Sequence, residues 1–382
     1  MKTLLLATCT LLVFQTSLLF SDSLVYSQVN LVANTPGVAA QTDPNLINPW
    51  GMSFSATSPF WVSNQGSNTA TLYNGVGTAT PLVVTVPPTM SGPQGPTGQV
   101  QNSAPAGSFA VGTGGAASFL FDTLSGEIAG WNGAAGTTAI VATTTAGASY
   151  TGLALAQVGT SSYLYAANFA ATGGGINVFD SNFNAVNGTT FANKFKDPSI
   201  PSGYAPYNIQ LVGNDLYVEY AEVGSRGSVT GAGLGYVDVY DTSGNLISSL
   251  IAGGHLNSPW GVTLAPSSFG LFSNDLLVGN FGDGTINAYN PNTGAYIGTI
   301  SDTNGHAIVL PDLWAIDFRS SAFTSGVPNA LYFDAGIDNQ TGGLFGYVEP
   351  SPEPATYGLG LVGAGALLAM VLFSRRRSAV KT

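Results

Sequence analysis

The chain has 382 residues, of which 45% are hydrophobic and only 8% charged, with 50 glycines and 21 prolines. Solvated helical faces need Glu, Lys and Arg, so this composition excludes a helical bundle and points to an all-β chain, while its apolar content is too high for a disordered one. Net charge is −11, and between Gln28 and Glu349 only Lys194, Lys196, Arg226 and Arg319 stand against 18 carboxylates; such a body repels phosphate backbones, which argues against nucleic acid as a partner.

At the start of the chain, Met1-Lys2, the apolar run from Thr3 to Phe20 and the polar Ser21-Asp22-Ser23 have the three parts of a secretory signal peptide. It is expected over residues 1–27, with cleavage after Ser27 or near Ser23. The single cysteine, Cys9, lies inside this run. Leu6-Ala7-Thr8-Cys9 comes too early for a lipobox, and the mature chain is left without a disulfide or a thiolate metal site.

Residues 28–349 contain a repeat. Asn48-Pro49-Trp50-Gly51-Met52 returns as Ser258-Pro259-Trp260-Gly261-Val262, with weaker copies at Pro96-Thr97-Gly98, Tyr150-Thr151-Gly152, Pro206-Tyr207-Asn208 and Leu313-Trp314-Ala315. Six units of about 50 residues follow from this spacing. In the best unit, Gly261–Leu264, Asp275–Asn280, Gly284–Tyr289 and Ala295–Ile300 read as four short strands bounded by Gly, Asn, Asp or Pro. The third strand recurs at Ala70–Asn74, Gly175–Asp180, Gly235–Asp241 and Gly343–Tyr347. Asp122–Gly126, Asp241–Gly244 and Asn290–Gly294 read as hairpin turns. Four strands per unit describe a propeller blade. Pro259–Ile300 resembles an NHL-type repeat, and the body resembles a six-bladed NHL-like β-propeller. It departs from that family in carrying Gly279-Asn280, Ser63-Asn64 and Ala167-Asn168 where Ala-Asp is usual. Gln28–Val32 is expected to close the ring as an added strand of the last blade.

In the tail, residues 350–382, Tyr357 to Phe373 forms 17 uncharged residues, enough as a helix to cross a bilayer, and Arg375, Arg376 and Arg377 place the C-terminus on the cytoplasmic side. Pro352, Glu353 and Pro354 precede this span. The order of parts resembles the PEP-CTERM sorting signal of bacterial exosortase substrates. The resemblance implies a temporary membrane tether with exosortase as the processing enzyme, followed by release to the cell surface or extracellular matrix. With the propeller, the whole chain resembles an uncharacterised group of exosortase-sorted bacterial propeller proteins.

Channel-facing candidates come from the repeat. Trp50, Tyr207, Trp260 and Trp314 share one position where the chain enters the first strand, and can either stack a sugar in the channel or pack between blades. Asn64, Asn168, Asn280 and Asp334 follow the second strand and can either converge as polar ligands or cap their own turns. No catalytic constellation stands out: His255 and His306 are the only histidines, so a metal site needs both with a carboxylate such as Asp312. Asp283 and Asp338-Asn339 offer oxygen ligands to calcium without the spacing of an EF-hand. The sequence expectation is a non-enzymatic surface propeller that binds a polysaccharide or a surface protein. A metal-dependent lyase or lactonase, which the propeller resemblance allows, and a purely structural matrix protein are the alternatives.

Overall fold

The computed structural model of the chain describes residues 25–87, 92, 94–225, 227–319 and 326–351. The bulk of the expected signal peptide and the sorting segment from Pro352 onward lie outside the described residues. Two strands precede the repeats, β1 (Val25–Ala33) and β2 (Gln41–Thr42). Blade one is β3 (Pro49–Ser53), β4 (Phe60–Asn64), β5 (Thr69–Tyr73) and β6 (Val84–Thr85). Blade two is β7 (Gln99–Gln101), β8 (Phe119–Asp122), β9 (Glu127–Trp131) and β10 (Ile140–Thr144). Blade three is β11 (Tyr150–Val158), β12 (Ser161–Asn168) and β13 (Gly175–Phe179). Blade four is β14 (Tyr204–Val212), β15 (Asp215–Gly224), β16 (Gly227–Val229), β17 (Tyr236–Tyr240) and β18 (Leu246–Ala252). Blade five is β19 (Pro259–Leu264), β20 (Leu276–Asn280), β21 (Ile286–Tyr289) and β22 (Tyr296–Thr299). Blade six joins β23 (Leu313–Phe318), β24 (Leu331–Ala335) and β25 (Leu344–Ser351) to β1 and β2.

The innermost strands neighbour one another in the cycle β3, β7, β11, β14, β19, β23 and back to β3, so the six sheets surround one axis as a propeller. Inner strands are covered on both faces by adjacent blades, and every residue of β3, β4, β20 and β24 is buried. They therefore read as apolar runs, whereas the outermost β18 and β22 leave Leu246, Ile247, Tyr296 and Ile297 exposed. Among the described residues no helix is long and apolar enough to cross a membrane.

The ring closes as expected at the N-terminal strand. β1 runs antiparallel to β25 from Val25 opposite Ser351 to Ala33 opposite Leu344. The strand starts earlier than the sequence suggests: Tyr26, placed in the leader, is 1% exposed, packs between Phe269 and Phe272, and donates its hydroxyl to the Phe269 carbonyl at 2.9 Å. Likewise Pro350 and Ser351, placed in the tail, belong to β25.

Blade three differs from the expected four strands. Beyond β13 the chain makes only an isolated bridge, Phe179 to Ala185, around a positive φ at Phe183, and then turns through positive φ at Asn193 and Phe195. Phe191 covers Tyr163 and Tyr165 edge-on, and Phe195 covers Tyr165, so side chains mask this blade where a fourth strand would lie.

Two local devices shape the channel. Asn48, Ser258 and Asp312, each one residue before an innermost strand, take φ of 47°, 48° and 53° and turn the chain inward. One residue after the entry position, a methyl group at Gly98 would stand 2.5 Å from the Leu153 amide nitrogen, and one at Gly261 2.6 Å from the Trp314 carbonyl. Only glycine lets these strands approach so closely.

Candidate functional site

The entry positions of the innermost strands meet at one mouth of the channel. Trp50 and Trp314 stack with ring centroids 3.5 Å apart and planes 18° apart, and Trp260 stands edge-on to both, at 6.5 and 5.9 Å. Around Trp50, Tyr207 and Trp314 opens a cavity of about 460 Å³ to which Phe169 and Phe281 also contribute. Tyr207 lies 4.5 Å from Phe169 and 5.9 Å from Trp314, and Phe281 lies 4.4 Å from Trp314.

A buried asparagine organises the polar side of this mouth. Asn48, 3% exposed, accepts the Trp314 indole N–H at 3.1 Å and donates to the side-chain carbonyls of Gln65 at 2.8 Å and Gln340 at 3.4 Å. Gln340 is delivered by three successive left-handed residues, Asp338, Asn339 and Gln340, with φ of 59°, 54° and 64°. Such a conformation costs an L residue roughly 1–2 kcal/mol, so the turn is held by its surroundings, including bonds from the Gln340 amide to the Gly336 carbonyl and from the Gly342 amide to the Ile337 carbonyl. Trp260 donates its indole N–H to the Thr151 carbonyl at 3.0 Å. The third indole has no such partner: Nε1 of Trp50 is buried without a hydrogen bond at the edge of the cavity.

Among the described residues that line the cavity none is Asp, Glu, His, Lys or Arg. Its one titratable group, the Tyr207 phenol, is pushed far up by burial and stays protonated. The described lining therefore offers aromatic surface and neutral hydrogen-bonding groups.

The structure brings Trp50, Tyr207 and Trp314 together here, and places Trp260 behind them, facing a second cavity. The remaining sequence candidates line neither space. Asn64 donates to Thr71 at 2.9 Å and Thr69 at 3.2 Å. Asn168 accepts the Ser149 and Ala170 amides at 2.9 and 3.1 Å, and Asn280 accepts the Asn257 amide at 3.0 Å while donating to the His255 carbonyl at 2.9 Å. Asp334 is fully buried in β24, and both its carboxyl oxygens lack a partner. The next residues along, Gln65, Phe169 and Phe281, are the ones that reach the mouth. Sequence reasoning stopped one position short in three blades, because adjacent residues at a strand end point to opposite sides. Nor did it find Asn48, whose signal was its repeat equivalence to Ser258 and Asp312.

The metal readings find no support in placement. His255 stacks on Tyr296 at 3.7 Å, and His306 is exposed beside Asp302. Asp283 accepts from Thr285 and Asn257 in its own corner. Among the described residues no group of three or more His, Cys, Asp or Glu side chains is arranged to hold a metal ion.

The chain is 32% identical over 327 residues to the uncharacterised protein R648 of Acanthamoeba polyphaga mimivirus, covering 83% of this chain and 78% of that protein. The chain belongs to this family. The uncharacterised protein L690 of the same virus is 30% identical, with 83% of each chain covered. No protein-family model matches. Among solved structures, a protein of unknown function from Bacteroides thetaiotaomicron shares the fold at 12% identity and a TM-score of 0.50, over 86% of this chain and 76% of its own. A virginiamycin B lyase from Staphylococcus aureus matches over 86% of this chain and all of its own, at 12% identity and a TM-score of 0.44. The expected propeller stands on the six-sheet topology and on the fold shared with the Bacteroides protein, and the two relatives named above are mimivirus proteins.

Proposed function

We propose that the propeller is a non-enzymatic binding module that takes a neutral carbohydrate at the aromatic mouth. The reading rests on the aromatic lining around Trp50, Tyr207 and Trp314 and on the uncharged character of the described residues beside them. A sugar offers apolar C–H faces to aromatic rings and hydroxyl oxygens to neutral donors, which matches this inventory. Titration of the full-length protein with a panel of neutral oligosaccharides, followed by tryptophan fluorescence, is expected to give saturable binding that Trp50→Ala weakens at least tenfold, or about 1.4 kcal/mol. A flat response across the panel, or turnover of a sugar by the purified protein, would sink the reading.

Export and sorting complete the proposal and rest on sequence alone. The leader is cut near Ser23, which leaves Tyr26 in the closing strand, and exosortase acts at Pro352-Glu353-Pro354 to deliver the propeller to the cell surface. A polysaccharide or surface protein outside the cell is its partner. Mass spectrometry of the mature protein from an exosortase-bearing host should find chains that end before Arg375; an intact C-terminus there rejects the processing step.

A further inference from the structure

Between β13 and β14 the chain runs as a strap, residues 180–203, from blade three to blade four. Its first half occupies the open edge of β13: the Asn187 side chain accepts the Val178 amide and donates to the Ile176 carbonyl, each at 2.7 Å, and so stands in for the backbone of a further strand. Its second half is fastened to blade four. Phe195 packs on Tyr240 at 5.3 Å and its amide donates to the Gly244 carbonyl at 2.9 Å, while the Lys194 ammonium donates to Asn245 Oδ1. Two residues on from Phe195, Asp197 accepts the Ser249 hydroxyl of β18, and also the Ser199 amide at 2.7 Å.

The register of blade four sets a second carboxyl group beside Asp197. Asp238 of β17 pairs with Ser249 of β18, so their side chains share one face of the sheet, and the Ser249 hydroxyl that reaches Asp197 stands next to Asp238. The two carboxyl groups are within hydrogen-bonding reach of each other. Around Asp238 the other titratable groups are the Tyr240 phenol, 3.1 Å from Oδ2, the Tyr220 phenol, 3.0 Å from that of Tyr240, and the buried Glu219 of β15. Lys194 and Lys196 are the cations of the strap, and among the described residues neither they nor any other cation forms an ion pair with Asp197 or Asp238. Burial, and then the Asp197 charge, push Asp238 up to about 7. Against the upward pull of burial, hydrogen bonds from Ser249 and Ser199 hold Asp197 below the ordinary carboxylate value. The pair therefore holds one proton in mild acid and none in mild alkali.

We propose that Asp197 and Asp238 form a carboxyl–carboxylate latch, which fastens the strap to blade four while the two share a proton and lets it go once that proton is lost to water. Deprotonation replaces a hydrogen bond across the junction by two like charges in contact, with no cation to offset them. The other ties of residues 194–197 to blade four are the single Phe195–Gly244 backbone bond, the exposed Lys194–Asn245 bond and the Phe195 ring. Release of this half would bare Tyr165 and Tyr240, both of which Phe195 covers. None of these residues lines the aromatic mouth, and the latch does not depend on the sugar reading.

Lys194 and Lys196 make the strap its own reporter, because trypsin cuts after lysine only where the chain can leave the surface. Limited digestion of the full-length protein in neutral detergent, at about pH 6 and about pH 8, brackets the Asp238 value. Mass spectrometry gives the rate of cleavage after these two lysines, and division by the rate on a free peptide of residues 188–200 removes the pH dependence of trypsin itself. The expected result is a normalised rate that rises about tenfold between the two pH values, as the ionised fraction of Asp238 does, with an unchanged circular dichroism spectrum. Asp238→Asn and Asp197→Asn, each measured against its matching peptide, should both abolish the rise, and Asp197→Asn at its half-buried position decides the matter if Asp238→Asn fails to fold. A normalised rate that does not change with pH, or the same rise in a folded variant, would overturn the proposal.

Discussion

Asp334 sits in the middle of β24 with no hydrogen bond to either carboxyl oxygen, and burial raises its pKa well above the ordinary carboxylate value. The folded chain therefore keeps this proton at pH values where the unfolded chain has released it. Above about pH 4 the native state binds more protons than the unfolded one, and stability falls as pH rises toward the native pKa. Asp122 and Asp238, both pushed up to about 7 by burial, act in the same direction. Asp334→Asn removes one such proton. In urea unfolding across mildly acidic pH, the decline of stability with pH should become shallower by about 1.4 kcal/mol per pH unit. An unchanged slope would show that Asp334 does not titrate in this window. At this scale the sequence was half legible. It picked out Asn168 and Asn280 from their strand-end position, but spacing alone does not say which of two neighbours, Asn168 or Phe169, faces the channel.

β1 shows what an element contributes beyond its own residues. It pairs along the whole length of β25 and brings Tyr26 into the core beside Phe269 and Phe272 of blade five, so one strand ties two blades together. Loss of a buried aromatic side chain alone costs about 3–5 kcal/mol. Deleting Val25–Ala33 is expected to lower the melting temperature by roughly 10 °C or more and, by baring the edge of β25, to promote association. Circular dichroism melts and gel filtration read both effects, and an unaltered melt in a monomeric protein would refute the closure. The sequence located this strand because a six-unit repeat leaves an apolar alternation at its front with no blade of its own. It overestimated blade three, because four strands were carried over from the best unit while the residues after Gly175–Phe179 contain the turns at Phe183, Asn193 and Phe195.

For the molecule as a whole, the architecture was written in the repeat. Six copies of an entry motif fix the number of blades, and glycine-bounded apolar runs fix their strands. The division of the channel was not, because it depends on how three indoles from blades one, five and six meet: two stack, and the third stands edge-on and faces the other way. The closing register carries a mechanical consequence. Val25 lies opposite Ser351, and the chain leaves the propeller in both directions from this one end of the β1–β25 ladder. Tension between the two flanks would load the Val25–Ser351 pair first, then Tyr26–Pro350, and open the ladder by peeling instead of shearing all its bonds at once. A propeller held by one flank alone would carry no such load across this pair.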